Sequence, residues 1–227
     1  MRKLQLCLVN LLAVMFLAFV VSCEDEKNKP GDDPDTPSPE ELTPGQEVDL
    51  GLSVNWAGWN VGASSPEQYG GYYAWGETEE KSDYSLETYK YWVDSDGNGY
   101  YNYGEFTNIC TDISGTQYDV ARQKWGGLWR MPTKEEFDEL ISRCSWTWYR
   151  YKGVNGYKVT GPNGNSIFLP AAGYRYGTSL DADGSFGHYR SAAVDEDYFA
   201  WGLNFYNGNY NSDGGARLSG YSVRPVK

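Results

Sequence analysis

The chain has 227 residues, with 31 Asp and Glu against 19 Lys and Arg, for a formal net charge of −12. An excess of this sign is repelled by phosphate backbones and no basic stripe offsets it, which excludes nucleic acid as a partner. There is one histidine, His188, so a Ser-His-Asp machine or a multi-histidine zinc site would have to be built around that residue. Its setting, Gly187-His188-Tyr189-Arg190, reads as a surface loop, and no carboxylate pair stands out, so no catalytic residue is assigned.

In chain order, Arg2 and Lys3 precede an apolar run from Leu4 to Val21 that stops on Ser22-Cys23. This resembles a bacterial lipoprotein signal: residues 1–22 are the signal peptide and Cys23 is the lipidated residue, which anchors the protein to a membrane. The competing assignment is a short spanning helix, which needs about 20 apolar residues and has no reason to end on Ser-Cys. Residues 23–47 are acidic, proline-rich and free of aromatic residues, and read as a disordered tether. An acidic run directly after the lipid cysteine resembles the surface-export signal of Bacteroides lipoproteins. It implies an outer-membrane, lipid-anchored protein facing the exterior, against a plain linker in the periplasm.

Residues 48–227 have the length of one domain with a proper core. The whole chain holds 27 glycines, 20 tyrosines and 9 tryptophans, which predicts short strands and tight turns around aromatic packing. The first strand is expected over Val48–Trp56. The stretch DSDGNGYYNYGE, Asp94 to Glu105, follows the spacing of a twelve-residue calcium loop. Its flanks are poor helices and its eighth position is Tyr101, so the protein is not an EF-hand. A single structural calcium ion would be held by the side chains of Asp94, Asp96, Asn98 and Glu105, the carbonyl of Tyr100, and Asn102 directly or through water. The alternative is a hairpin tip that binds nothing.

A weak helix is expected over Asp119–Trp125, stopped by Gly126-Gly127. A stronger one follows Thr133-Lys134-Glu135-Glu136, a capping box, with Phe137, Leu140, Ile141 and Cys144 on one face. Cys110 and Cys144 remain once Cys7 and Cys23 are set aside. In an oxidising compartment a Cys110–Cys144 disulfide is the economical assignment, and two separately buried thiols are the alternative. The runs 157–160 and 167–169, joined through Asn163-Gly164, predict a hairpin. From Phe199 to Phe205, alternation places Phe199, Trp201, Leu203 and Phe205 on the core face. A short strand over Tyr221–Val226 closes the chain.

The last quarter is rich in Tyr, Asn, Ser, Gly and Asp, the chemistry of adaptable recognition loops. Candidate ligand-binding residues are Tyr189, Arg190, Asp195, Asp197, Tyr198, Trp201, Asn204, Tyr206, Asn207, Asn209, Tyr210, Asn211 and Arg217. The alternative is that they are solvated residues filling turns.

Five segments, VDLGLSVNWAGWNVGA, GGYYAWGET, WGGLWRMPTKEEFDELI, VTGPNGNSIFLPAAGYR and GYSVRPV, occur in the order of the Fibrobacter succinogenes major paralogous domain of Bacteroidetes lipoproteins, which the chain resembles over nearly all of 48–227. That family is similar to the C-type lectin fold as elaborated in formylglycine-generating enzymes and in the variable proteins of diversity-generating retroelements. The resemblance implies an α+β, C-type lectin-like fold of short twisted antiparallel strands, one or two helices and long loops, with first and last strands paired. The Glu-Pro-Asn and Trp-Asn-Asp sugar motifs have no copy here, and the paired active-site cysteines of the enzymes have no counterpart. Where the family often has Trp-Ser-Ser-Ser, this chain has Tyr189-Arg190-Ser191-Ala192-Ala193. In retroelement-diversified proteins of this fold the varied positions fall in the same C-terminal region. The expected function is therefore a non-enzymatic module at the cell surface that binds a glycan or protein ligand. The alternatives are an enzyme or accessory of the formylglycine-generating type and a structural surface protein with no specific ligand.

Overall fold

Short antiparallel strands and two helices make up the described part of this computed structural model, which covers residues 46–94, 104–107 and 109–227. Cys23, the expected lipidation site, and residues 23–45 of the expected tether lie outside the described residues; its last residue, Glu47, belongs instead to the first strand of the domain. Among the described residues no helix is long and apolar enough to cross a membrane.

Strands β1 (Glu47–Val48) and β2 (Trp56–Ala57) pair with each other, so the expected continuous strand over 48–56 is instead two short strands joined by a loop over 49–55. Its cause is local: Gly51 takes a φ of +73° and donates its N–H to Asp49 Oδ1 at 2.6 Å, which turns the chain back. Strands β3 (Trp92–Asp94) and β4 (Gly104–Phe106) form a second ribbon.

Helix α1 (Val120–Trp125) starts as expected on Asp119, whose buried carboxylate accepts from the Arg122 N–H, and ends on Gly126 at φ +68°. Helix α2 (Lys134–Arg143) has the expected capping box. Thr133 Oγ1 accepts from the Glu136 N–H while the Glu136 carboxylate accepts from the Thr133 N–H. It lays Phe137 and Leu140 into the core, where burying each contributes roughly 1.5–3 kcal/mol.

Strands β5 (Ser145–Tyr151), β6 (Val154–Thr160) and β7 (Ser166–Pro170) form a three-stranded antiparallel sheet. The Asn163-Gly164 turn sits at the expected place, with Gly164 at φ +91°. The β5–β6 turn uses Lys152 and Gly153, both at positive φ, the geometry that matches the twist of a two-residue hairpin. A short ribbon of β8 (Tyr174–Tyr176) and β9 (Ser179–Asp181) leads to a second three-stranded sheet. It consists of β10 (Phe186–Val194), β11 (Phe199–Tyr206) and β12 (Asn209–Ala216), in that order.

The organising element is the C-terminal segment, buried at every residue from Arg217 to Val226. On one side its carbonyls at Arg217, Tyr221, Val223, Pro225 and Lys227 accept from the N–H groups of Trp75, Tyr73, Val61, Ala57 and Asn55. On the other side it pairs in turn with Arg175, with His188 and Arg190, and with Arg130. The early and final segments are thus zipped together. A buried backbone needs every polar group paired, and this segment meets that demand by bonding to five distant stretches of chain.

Arg224 follows from the same demand. It is fully buried and, among the described residues, has no carboxylate partner; it donates to Asn60 Oδ1 at 2.9 Å, to the Ala57 carbonyl at 3.1 Å and to the Phe168 carbonyl at 2.8 Å. Burial lowers its pKa to about 10.

Two expectations are corrected. Cys110 and Cys144 are both free thiols, not a disulfide. Cys144 caps α2 against the cluster of Phe137, Leu140 and Val159, while Cys110 packs on the separate cluster of Ile113, Val120 and Met131. Each thiol behaves as a small hydrophobe, and burial pushes the Cys144 thiol up to about 11. The burial expected along β11 also fails at its start. Leu203 and Phe205 are buried as expected, but Phe199 is 41% exposed and Ala200 is fully buried. The facing still alternates, but Phe199 shares the Leu203 face outside the core cluster, whereas Ala200 lies on the other face, where it packs with Ala192 into the second cluster.

Candidate functional site: the open face of the C-terminal sheet

Alternate residues of a strand share a face, and cross-strand partners stand side by side on it. One face of the β10–β11–β12 sheet, carrying Tyr189, Leu203 and Phe205, is packed into the core. The other carries three cross-strand rows: Phe186–Tyr206–Asn209, His188–Asn204–Asn211 and Arg190–Gly202–Asp213.

The third row is partly closed. Arg190 is fully buried, with its guanidinium 3.8 Å from the Tyr221 ring centre and donating to the carbonyls of Gly215 at 3.0 Å, Ala216 at 2.8 Å and Ser219 at 2.9 Å. Tyr221 thereby covers this end of the face. A methyl group on Gly215 would stand 2.4 Å from the Tyr221 hydroxyl, which is why glycine is needed there.

The first two rows are open. Phe186 is 38% and Tyr206 44% exposed, with ring centres 5.1 Å apart. His188 continues this ledge, 6.2 Å from Phe186, 4.9 Å from Tyr174 and 5.2 Å from Tyr221. Its Nδ1–H donates to Asn204 Oδ1 at 2.8 Å. Burial among the rings lowers the His188 pKa; the Asn204 hydrogen bond opposes that shift and the nearby Arg190 charge adds to it. The imidazole is thus held neutral at neutral pH. Asn209 Nδ2 donates to the Tyr206 hydroxyl at 3.1 Å, and Asn209, Asn211 and Asp213 stand exposed along β12. The arrangement joins an apolar, aromatic side to a row of amides, and it can bind a flat ligand with both apolar and hydrogen-bonding faces.

The thirteen candidate residues divide by place. Asn204, Tyr206, Asn209 and Asn211 share the open face, with exposed Asn207 at the β11–β12 turn. Asp195, Asp197 and Tyr198 lie in the β10–β11 connection, Tyr198 edge-on to Phe106 at 5.0 Å. Three are core residues and not part of a surface. Tyr189 is fully buried and donates to the Pro170 carbonyl at 2.9 Å; Arg190 lies beneath Tyr221; Arg217 donates to the Asp197 carbonyl at 3.0 Å and stacks 4.4 Å over Trp75. Trp201 and Tyr210 point to the opposite face. Lys134 lies 4.7 Å over the Trp201 ring, and Tyr210 stacks on Trp146 at 4.5 Å.

Sequence reasoning missed Phe186, Tyr174 and Tyr221 as parts of the face, and took His188 for a loop residue when it lies in a strand. A signal was present. Asn207-Gly208 between Tyr206 and Asn209 is a two-residue hairpin turn, which aligns β11 with β12, and Phe186, His188 and Arg190 alternate in the partner strand.

Of the expected calcium ligands, Asp96, Asn98, Tyr100 and Asn102 lie outside the described residues. Asp94 and Glu105 are on the β3–β4 ribbon, where Asp94 faces Gly104 and Glu105 faces Val93, so their side chains leave opposite faces of the ribbon. Among the described residues, no three His, Cys, Asp or Glu side chains come together as a metal site.

A separate cleft of about 590 Å³ lies between residues 76–91 and 117–118. Its charges are largely engaged: Glu77 pairs with Lys81 at 2.9 Å and Glu79 with Lys124 at 2.6 Å. Comparison of the chain with protein-family models, curated proteins and solved structures finds no match.

Proposed function

We propose that this protein is a lipid-anchored surface lipoprotein whose C-terminal domain is a non-enzymatic binding module, and that its ligand rests on the open face of the β10–β11–β12 sheet. One observation carries the assignment of the surface: the exposed Phe186–Tyr206 ring pair sits beside Asn204, Asn209 and Asn211 on a single face, although a sheet has a second face on which to hide aromatic rings. The pairing of residues 55–61 with 223–227 supports a C-type lectin-like fold for the domain.

The reading is tested with the full chain, wild type and Tyr206→Ala, by measuring binding to arrayed glycans and to candidate host and bacterial surface proteins. A ligand of wild type that Tyr206→Ala binds at least about tenfold more weakly supports the surface. Equal binding by both proteins sinks it.

A further inference from the structure

We infer that the open face binds a short, uncharged oligosaccharide, with sugar rings against Phe186 and Tyr206 and sugar hydroxyls on Asn204, Asn209 and Asn211. This rests on the assignment of that face as the ligand surface and names its ligand class.

Size is the first argument. The two open rows are separated by two residues along the strand, about 7 Å, and the three strands span about 10 Å. A stable protein partner needs roughly 800 Å² from each side, several times what these rows offer. One or two sugar rings cover them.

Chemistry is the second. A sugar ring has an apolar face of C–H bonds and a rim of hydroxyls, each both donor and acceptor. The ledge of Phe186 and Tyr206 supplies the flat apolar contact. Each asparagine amide carries two N–H donors and an oxygen with two lone pairs; one lone pair of Asn204 Oδ1 takes the His188 bond and one Nδ2–H of Asn209 takes the Tyr206 bond, and the remaining capacity matches sugar hydroxyls without a net charge.

Charge is the third. Among the described residues the face presents no accessible cation: Arg190 is fully buried and donates to three carbonyls, and His188 is held neutral. Asp213 is exposed at its edge, on a chain of net charge −12, and opposes sulfated, phosphorylated or sialylated ligands.

The test is a glycan array of neutral, sialylated and sulfated oligosaccharides probed with the full chain. Calorimetry with the best neutral oligosaccharide follows, with and without a calcium chelator. Phe186→Ala, Tyr206→Ala and Asn211→Ala alter exposed side chains and are compared with Leu128→Ala, an exposed residue beyond α1. Expected are binding of neutral glycans, losses of about tenfold or more in each face variant, unchanged affinity in Leu128→Ala and no effect of chelator. Binding restricted to acidic glycans, binding abolished by chelator, or face variants equal to wild type overturns the inference. If no neutral glycan binds but a protein ligand is lost in Tyr206→Ala, the surface stands and the glycan assignment falls.

Discussion

The Arg190 guanidinium stacks 3.8 Å from the Tyr221 ring centre while bonding to three carbonyls from the β12–C-terminal junction, at Gly215, Ala216 and Ser219. This pair closes one end of the open face and clips the second sheet to the central segment. Arg190 has no carboxylate partner in this contact. Backbone dipoles and an aromatic ring balance the charge, and burial lowers the pKa to about 10.

Arg190→Ala is expected to destabilise the fold by roughly 3 kcal/mol, because it strips the guanidinium bonds from the carbonyls of Gly215, Ala216 and Ser219, of which Ala216 keeps the Ser219 N–H, and removes the ring contact. Arg190→Lys should rescue little, since an ammonium cannot span those carbonyls as a planar fork does. Tyr221→Phe keeps the ring and should stay within about 1 kcal/mol of wild type. Urea unfolding of the three variants measures this, and a stable Arg190→Ala would refute the role.

His188 makes stability depend on mildly acidic pH. Its pKa in the folded protein is below the ordinary 6.5, so the unfolded chain takes up the proton first. The stabilising contribution is complete above about pH 6.5. It is lost as pH falls through the folded value and is level below that. His188→Gln should remove this slope below about pH 6.5 while keeping the fold, as measured by thermal unfolding over the mildly acidic range. An unchanged slope in the variant would assign it to other groups.

Free Cys110 and Cys144 predict indifference to reductant. A native disulfide closing a loop of this length contributes roughly 2–4 kcal/mol, which would appear as a fall in Tm of several degrees on reduction. No shift is expected with a strong reductant, and Cys110 and Cys144 should both react with a thiol reagent once the protein is unfolded. A large fall in Tm would show that the bridge exists in the protein.

What could be read locally was read well. Both helices begin and end on residues that act within one turn: Asp119 and Gly126 for α1, Thr133 and Glu136 for α2. The Asn163-Gly164 hairpin is equally local, since the turn itself demands positive φ. The expected first strand failed because Gly51 and Asp49 formed a competing local turn. The disulfide failed because counting thiols says nothing about which cluster each one joins.

The acidic composition, aromatic richness and turn chemistry of the chain by themselves determined a strand-rich α+β domain and its two capped helices, because those features act over a few residues. Tertiary structure alone decided which C-terminal residues face outward. Tyr189, Arg190 and Arg217 look in sequence like Tyr206 and its neighbours, polar-tipped side chains in a glycine-rich tail. The final segment threads between sheets and buries the first three, where distant carbonyls and rings satisfy them, while β10 brings Phe186 and His188 alongside Tyr206 and Asn204. Pairing across 15 to 20 residues sets that face, and its register depends on a bulge and on a partner strand that residue patterns within the tail do not specify.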